Sequence, residues 1–388
     1  MRVLHLIKST NLNSGGPPKV ALGLIDALRK KNIHADLLSL RENKTKRITE
    51  SWHHEFNLSW PIALGRSNDL NIFIKKNIIH YNLLHIHGVW DYCLHDAIKI
   101  AQKNNIPWVI SPHGMFMNSS LKKSFFKKNF ALNYLFYRKN FNSSSVIFYA
   151  SKEEMENSNL INLLPQKKIL PNGLIFKKNI NPAVNARAML NLSFPETSSW
   201  KRIIIYYGRI NREKGIELLI DSFHELLNFH PRTGLIISGI PNDNIYEKYL
   251  IKKIYKQKIK NILFNTKLRG EDSFFLLQAS DVFVLLSNQE GMSISSLEAL
   301  SEGKPILVSK NCNLSSIIKL GVGIETDLSK ISVVTSLNKI LSMSEIDLKK
   351  MGLIARNIIN NQFSWDKIVD TLIIDYQNII QNHGKTNI

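Results

Sequence analysis

The 388-residue sequence predicts an α/β protein built from two domains, each a parallel sheet covered by helices. Three observations carry this expectation. Short, wholly apolar, β-branched runs recur along the chain, as strands buried on both faces require. Amphipathic stretches at 3.6-residue spacing alternate with them. The length exceeds what one hydrophobic core organises and suits two domains of roughly 150–200 residues each. With 44% hydrophobic and 21% charged residues, the composition is globular and excludes a chain too polar to bury a core.

In chain order, residues 3–7 read as a buried strand, 17–31 as a helix and 34–40 as a second strand. Further strands are expected at 83–87, 108–111 and 146–149, with a helix near 94–104. A turn at Pro171-Asn172-Gly173 precedes a polar stretch, 177–200, without clear period. This places a linker at 181–200 and closes a first domain over 1–180. The second domain, 201–362, restarts the pattern with strands at 203–207, 235–238, 262–264, 282–286 and 306–308. Its helices are expected at 215–229, 271–279, 293–301 and 344–360, and a last helix at 365–380 lies within a terminal segment, 363–388. The halves share no sequence repeat, only this architecture. In doubly wound sheets ligands bind beyond the carboxyl ends of the strands, so the loops there are the places to look for chemistry.

The net charge is +20 and unevenly spread: residues 1–180 hold 26 Lys/Arg against 11 Asp/Glu, the remainder 25 against 20. From Ala97 to Lys152 there is no acid and there are nine basic residues. An AT-rich genome, which enriches Lys, Asn and Ile, accounts for the total but not for the asymmetry. A one-sided field favours an anionic surface or ligand. No apolar stretch approaches the ~20 residues of a membrane span, and the N-terminus reads as a strand with no secretory h-region. Cys93 and Cys312 stand apart in no metal-ligand spacing, which fits a reducing compartment. The expected location is cytoplasmic, with peripheral contact at the inner face of the cell membrane.

Three loops carry candidate chemistry. After the first strand come Gly15 and Gly16, then Pro17-Pro18-Lys19. Glycines let backbone N–H groups approach a ligand, and proline begins a helix whose positive end faces an anion. The pattern is not G-x-G-x-x-G and lacks the acidic residue of a dinucleotide site, and an ordinary βα turn would read the same way. After the first strand of the second half, Arg209 and Lys214 stand five residues apart in GRINREKG. Arg offers a planar fork and Lys a point charge to phosphate oxygens, and such cations stabilise a departing diphosphate. After the 282–286 strand, Glu290 lies in the loop and Glu298 in the following helix. Between them Gly291, Met292 and Ser293 offer amides at the helix N-terminus for phosphate. One carboxylate can then hold sugar hydroxyls and the other ribose hydroxyls. Asn242-Asp243-Asn244 reads as a turn, and with no Asp-x-Asp near a strand end no metal site is expected.

Together GRINREKG, EGMSISSLEAL, SEGKPILVS and the glycine loop resemble the retaining glycosyltransferases of family 4, which have the GT-B fold: two Rossmann-like domains facing each other across a cleft, with a C-terminal helix crossing back to the first. HIHGVW, SPHGMF, LPNGL and the closing FSWDKIVDTLIIDY look like further landmarks of that family. The resemblance implies that Arg209 and Lys214 grip the donor diphosphate, Glu290 the transferred sugar and Glu298 the ribose. It implies that Gly15 and Gly16 bring backbone amides to the phosphates and that His113 lies beside the reacting centre. His87 and Trp90 are assigned to the acceptor side or the core. The turn beside the base, Asn265-Thr266-Lys267-Leu268, lacks the family's usual glycine, leaving Lys267 and Leu268 as base contacts, and Ser293 stands where proline is frequent. The implied reaction is metal-independent and retaining, with a nucleotide diphosphate sugar as donor, no cofactor, and a glycan or lipid-linked acceptor in bacterial surface polysaccharide synthesis.

Between Phe116 and Phe141 lie eight aromatics and six Lys/Arg, with Phe126, Phe130, Tyr134, Tyr137 and Phe141 at helical spacing and Lys122, Lys123, Lys127 and Lys128 near the start. This segment reads either as a buried core stripe or as a contact with anionic membrane. No nucleic-acid module accompanies the charge, so nucleic acid is not an expected partner. Two competing functions remain: a nucleotide-sugar epimerase on the same fold, and a non-catalytic basic protein of the membrane surface.

Overall fold

The computed structural model describes residues 1–11, 15–41, 50–122, 137–174, 183–268 and 273–385. The chain divides into two compact units, Met1–Ile175 with Phe363–Ile388, and Phe176–Gln362.

In the first unit β1 (Arg2–Ile7), β2 (His34–Leu40), β3 (His53–Phe56), β4 (Leu83–His87), β5 (Trp108–Ser111), β6 (Val146–Tyr149) and β7 (Gln166–Ile169) form one parallel sheet in the order β3-β2-β1-β4-β5-β6-β7. Helices α1 (Gly16–Lys30), α2 (Asn68–Asn77), α3 (Tyr92–Lys103), α4 (Asn118–Lys122), α5 (Tyr137–Asn142) and α6 (Lys152–Glu156) connect the strands. The central strands β1, β4 and β5 are buried except for the exposed Arg2 at the start of β1, and mostly apolar: Leu4, Leu6, Leu84, Ile86 and Ile110 enter one core with Leu94, Ile98 and Phe141. The edge strands β3 and β7, HHEF and QKKI, escape the apolar pattern because each is only partly covered.

In the second unit β8 (Arg202–Tyr207), β9 (Thr233–Ser238), β10 (Ile262–Asn265), β11 (Val282–Leu285), β12 (Ile306–Ser309) and β13 (Gly323–Thr326) are parallel in the order β10-β9-β8-β11-β12-β13. Its helices are α7 (Ala183–Ser193), α8 (Ile216–Leu226), α9 (Asn244–Lys256), α10 (Phe274–Ala279), α11 (Ile294–Ser301), α12 (Lys330–Leu341) and α13 (Glu345–Gln362). The stretch expected as a linker, 181–200, is thereby corrected. It carries α7, which buries Ala186 and Leu190 and packs on α10. Arg187 from this helix donates to the carbonyl oxygens of Trp200 and, at 3.2 Å, Ala279. Only two described apolar side chains face inward, too few to show a period. The acids at 271–272 of the expected 271–279 helix lie outside the described residues.

The last helix, α14 (Trp365–Lys385), belongs to the first unit and lies along α1. Its first residue fixes the docking. A Cβ at Gly23 would stand 2.3 Å from Trp365 Nε1, and one at Gly173 2.3 Å from Trp365 Cδ2, so the indole occupies space that only glycine leaves. Farther along, Asp370 pairs with Lys31 at 2.7 Å, Asp375 with Lys168, and Tyr376 is fully buried.

In each sheet the first strand lies between the second and the fourth, so the winding reverses there. In doubly wound sheets such switch points, here at the carboxyl ends of β1 and β4 and of β8 and β11, are where ligands bind.

Candidate functional site

In the second unit the loop after β8 is shaped by its own hydrogen bonds. The Tyr206 hydroxyl, fully buried, donates to the Arg209 carbonyl. Burial and the nearby Glu290 carboxylate raise its pKa well above the ordinary range, so it remains a donor. Asn211 accepts from Glu213 N at 3.2 Å and starts a single turn over Arg212–Lys214. Gly215 ends that turn at φ 67°, where a Cβ would lie 2.1 Å from Leu286 O. A larger residue would be strained and would also collide with the β11 end.

The two loops at the switch point are stitched together. Asn288 N and Ser287 Oγ donate to Glu213 O at 2.7 and 3.1 Å. Lys214 Nζ donates to Glu290 Oε1, an ion pair of two mostly buried side chains. Glu290 is held from its backbone too: its N–H donates to Asn311 O at 3.0 Å, and Asn313 Nδ2 donates to Glu290 O at 2.6 Å and Gly291 O at 3.3 Å. Ser293 is the N-cap of α11, its Oγ accepting from Ser296 N at 3.2 Å. Serine thus does here what the helix start requires, and the amides it leaves uncapped belong to the first residues of α11. Met292 is buried; Glu298, one turn on, is half-buried.

At the end of β10 the turn Asn265–Leu268, which lacks the glycine the resemblance leads one to expect, is closed by Asn265. Its Nδ2 donates to Leu268 O at 3.3 Å and Ser238 Oγ at 2.9 Å, and its Oδ1 accepts from Leu268 N at 3.2 Å. A side chain therefore closes a turn that glycine would close by backbone conformation. Lys267 is exposed and Leu268 half-buried. Asp243 caps α9, accepting from Ile245 N at 2.8 Å.

In the first unit the glycine loop is described from Gly15 onward; residues 12–14 lie outside. Gly15 has φ 123° and stands at the N-cap of α1, which has no side-chain cap. Pro17 and Pro18 bring no N–H, so within the first helical residues only Gly16 and Lys19 carry donors. This end is a narrower anion site than two glycines suggested.

The carboxyl ends of β1, β4 and β5 hold a web of histidines that the sequence reading did not assemble. His5 on β1 and His85 on β4 are register partners, and His87 follows on the same face. His5 Nδ1 pairs with His87 Nε2 at 3.0 Å, and His87 Nδ1 with His113 Nε2 at 3.1 Å. His85 pairs with Ser111 Oγ at 2.8 Å and with the Tyr376 hydroxyl of α14 at 2.5 Å. Burial pushes His5 down to about 3 and His113 to about 4, and holds His85 and His87 well below the usual imidazole range. All four are neutral at pH 7. His5, His85 and His87 bring three potential metal ligands together. Yet the His85 and His87 rings stack at 4.3 Å and 18°, so their in-plane lone pairs do not converge; His85 is engaged with Ser111 and Tyr376, and His87 with His5 and His113.

His113 itself has φ 49°, a strained conformation for a non-glycine residue. Glu154 secures this turn. Its carboxylate accepts from Gly114 N at 2.5 Å and from Ala150 N at 2.7 Å, and it is fully buried. The signal that could have found it is the sequence Ser151-x-x-Glu154, a capping box: Ser151 does cap α6, accepting from Glu154 N at 3.0 Å. The Glu154 carboxyl, however, reaches one residue past the cap and across to the His113 loop. Trp90 is partly buried against the core.

Most of the basic aromatic segment, 123–136, lies outside the described residues. Of its ends, Phe116 and Phe141 are buried and meet edge-on at 5.1 Å, as a core stripe would. Among the described residues no helix is long and apolar enough to cross a membrane.

Residues 193–357 match the family model of glycosyl transferases group 1, a span within the second unit. The chain is 25% identical over 219 residues to a lipopolysaccharide 1,2-N-acetylglucosaminetransferase of Salmonella typhimurium, covering 52% of this chain and 53% of that one. It is 20% identical over 395 residues to a GDP-mannose:cellobiosyl-diphosphopolyprenol alpha-mannosyltransferase of Xanthomonas campestris, covering 97% and 96%. The chain spans about half the length of several curated relatives that it matches. Among solved structures it is similar to Anabaena HepE in complex with UDP and glucose, with TM-score 0.77, 18% identity, and coverage of 97% and 100%. The fold is GT-B: two parallel α/β sheets, of seven and six described strands, with the last helix returned to the first unit.

Proposed function

We propose that this chain is a retaining, metal-independent glycosyltransferase of family 4 that moves a sugar from a nucleoside diphosphate donor to a glycan or lipid-linked glycan acceptor. The observation that carries the reading is the Lys214–Glu290 pair at the β8/β11 switch point. A cation and a carboxylate, mostly buried and stitched together by backbone bonds, stand where a doubly wound sheet receives its ligand. The group 1 match over 193–357 supports it.

In this reading Lys214 and Arg209 take the diphosphate, and Glu290, released from Lys214, takes hydroxyls of the transferred sugar. Glu298 holds the ribose, and Lys267 and Leu268 flank the base. The amides of Gly291, Met292 and Ser293 face the phosphates. The first unit contributes Gly15, Gly16 and the neutral His113. As the anomeric C–O bond breaks, its electron pair stays on the diphosphate, where the two cations and the start of α11 stabilise it. The acceptor oxygen bonds to the anomeric carbon on the face the diphosphate leaves, and its proton passes to a diphosphate oxygen. Neither glutamate serves as a covalent nucleophile, unlike the paired carboxylates of retaining hydrolases. The names of two relatives, a lipopolysaccharide N-acetylglucosaminetransferase and a mannosyltransferase acting on cellobiosyl-diphosphopolyprenol, favour surface polysaccharide synthesis at the cytoplasmic face of the membrane.

Thermal unfolding with UDP, GDP and ADP tests the donor site. One nucleotide at about 100 times its Kd is expected to stabilise by about 2.7 kcal/mol, and Arg209→Ala to lose most of that shift. Three nucleotides without effect on the wild-type chain would remove the reading.

A further inference from the structure

Between β3 and α2 the first unit carries an apolar projection. Trp60 is 88% exposed, Ile62 61% and Leu64 48%, and Ala63 between them is exposed as well. No charged residue occurs from Asn57 to Gly65. The turn is built, not slack: Ser59 N donates to Arg66 O at 2.8 Å, Leu64 N to Pro61 O at 3.1 Å and Gly65 N to Ile62 O at 3.0 Å. Cys93 N at the start of α3 donates to Gly65 O at 3.1 Å. A folded chain rarely presents this much contiguous apolar surface to water without a partner.

What surrounds the projection says which partner. The next helix, α2, exposes Asp69 at its start and then Ile72, Lys75 and Lys76, and the short turn after it exposes Ile79. The adjoining α3 exposes Lys99 and Lys103. Residues 1–180 as a whole hold 26 basic against 11 acidic residues. An apolar tip with tryptophan at its head, backed by lysines, is complementary to the interface of an anionic bilayer, where indole sits at headgroup depth and lysine meets lipid phosphate. The projection also stands at the carboxyl edge of the sheet. Gly65 lies beside Asp91, which follows β4, and Lys8, which follows β1, with a Cβ there 3.5 Å from Asp91 Oδ1 and 3.8 Å from Lys8 Cε. That is the edge at which His113 lies.

We infer that the Trp60–Leu64 turn seats the first unit on an anionic membrane surface, with the exposed lysines of α2 and α3 against the lipid phosphates, and that the acceptor is drawn from that membrane. The last clause rests on the glycosyltransferase reading; the seating does not.

Co-sedimentation of the full chain with phosphatidylglycerol–phosphatidylcholine vesicles, against phosphatidylcholine alone, tests it. The wild type is expected to bind the anionic vesicles and to be released as salt rises. The Trp60→Ser/Ile62→Ser variant is expected to bind them roughly tenfold or more weakly, and Lys75→Glu/Lys76→Glu to lose binding at low salt. The nucleotide-induced thermal shift is expected to be unchanged in both, which separates failure of the seating from failure of the donor site. Wild type that ignores anionic vesicles, or a Trp60→Ser/Ile62→Ser variant that binds as wild type does, overturns the inference. So does a chain whose self-association, and not its vesicle binding, is lost in that variant.

Discussion

The two units wind their strands in the same order around a first strand, yet they fill the ends of those strands with different chemistry. In β1 and β4 and just beyond β5 the first unit places imidazoles that burial keeps neutral, bonded to one another and to Tyr376. Beyond β8 and β11 the second places a lysine and a glutamate in contact. One end buries neutral rings beneath a more exposed Lys8–Asp91 pair, and the other buries most of its lysine–glutamate pair. The comparison teaches that topology fixes where a ligand is received, while the residues after each strand decide what is received.

Acid separates the units most strongly. An imidazole kept neutral in the fold but free to protonate near 6.5 when unfolded contributes stability that is complete above that pH. The contribution is lost as pH falls toward the folded value. His5, His53, His85, His87, His95 and His113 all have lowered values, and all lie in the first unit. Glu154 opposes them. Burial pushes its carboxyl up to about 7, so its contribution is complete below about 4.5 and is lost as pH rises through 7. Each group contributes a slope of about 1.4 kcal/mol per pH unit, and six outweigh one. Lowering pH from 7 to 5 is expected to open hydrogen exchange in β1, β4 and β5 before β8, β9 and β11; simultaneous opening would erase the contrast.

The next test asks whether the charged crevice alone handles the donor. Lys214→Ala is expected to lower transfer activity by about 100-fold or more, and Lys214→Arg to restore part of it, since a guanidinium keeps the charge without the compact fit. His113→Ala is expected to reduce turnover while leaving nucleotide affinity unchanged. A His113→Ala chain that no longer binds nucleotide would show that the division of labour is wrong. The smallest effect is expected at Glu154. Glu154→Gln keeps the shape but turns an NH2 toward one of two buried N–H donors, costing about 1–3 kcal/mol, and it removes this group's decline in stability between about pH 4.5 and 7. A variant whose pH profile matches wild type would exclude Glu154 from that titration.

The central strands were legible because covered parallel strands are predominantly apolar; β2, β4, β5 and β6 have the expected bounds. The edges β3 and β7 were not, since partial covering admits His, Gln and Lys. The loop motifs of the second unit also stood out, because glycine, paired cations and paired acids occur at short spacing there. What sequence could not supply was proximity across the chain. His5 and His85 become neighbours only once β1 and β4 pair in register. Asn313 reaches Glu290 from 23 residues away. His-x-His in an apolar strand was the available hint, placing two polar rings on one buried face.

The docking of Trp365 against Gly23 and Gly173 has a consequence for how the protein is made. The first unit is assembled from the beginning and the end of the chain, with all of the second translated between them. Until the final helix leaves the ribosome, two glycine-lined hollows have no indole to fill them and His85 has no tyrosine to meet. The part synthesised first is therefore completed last, and a nascent chain must keep an unfinished domain intact while an entire second one forms.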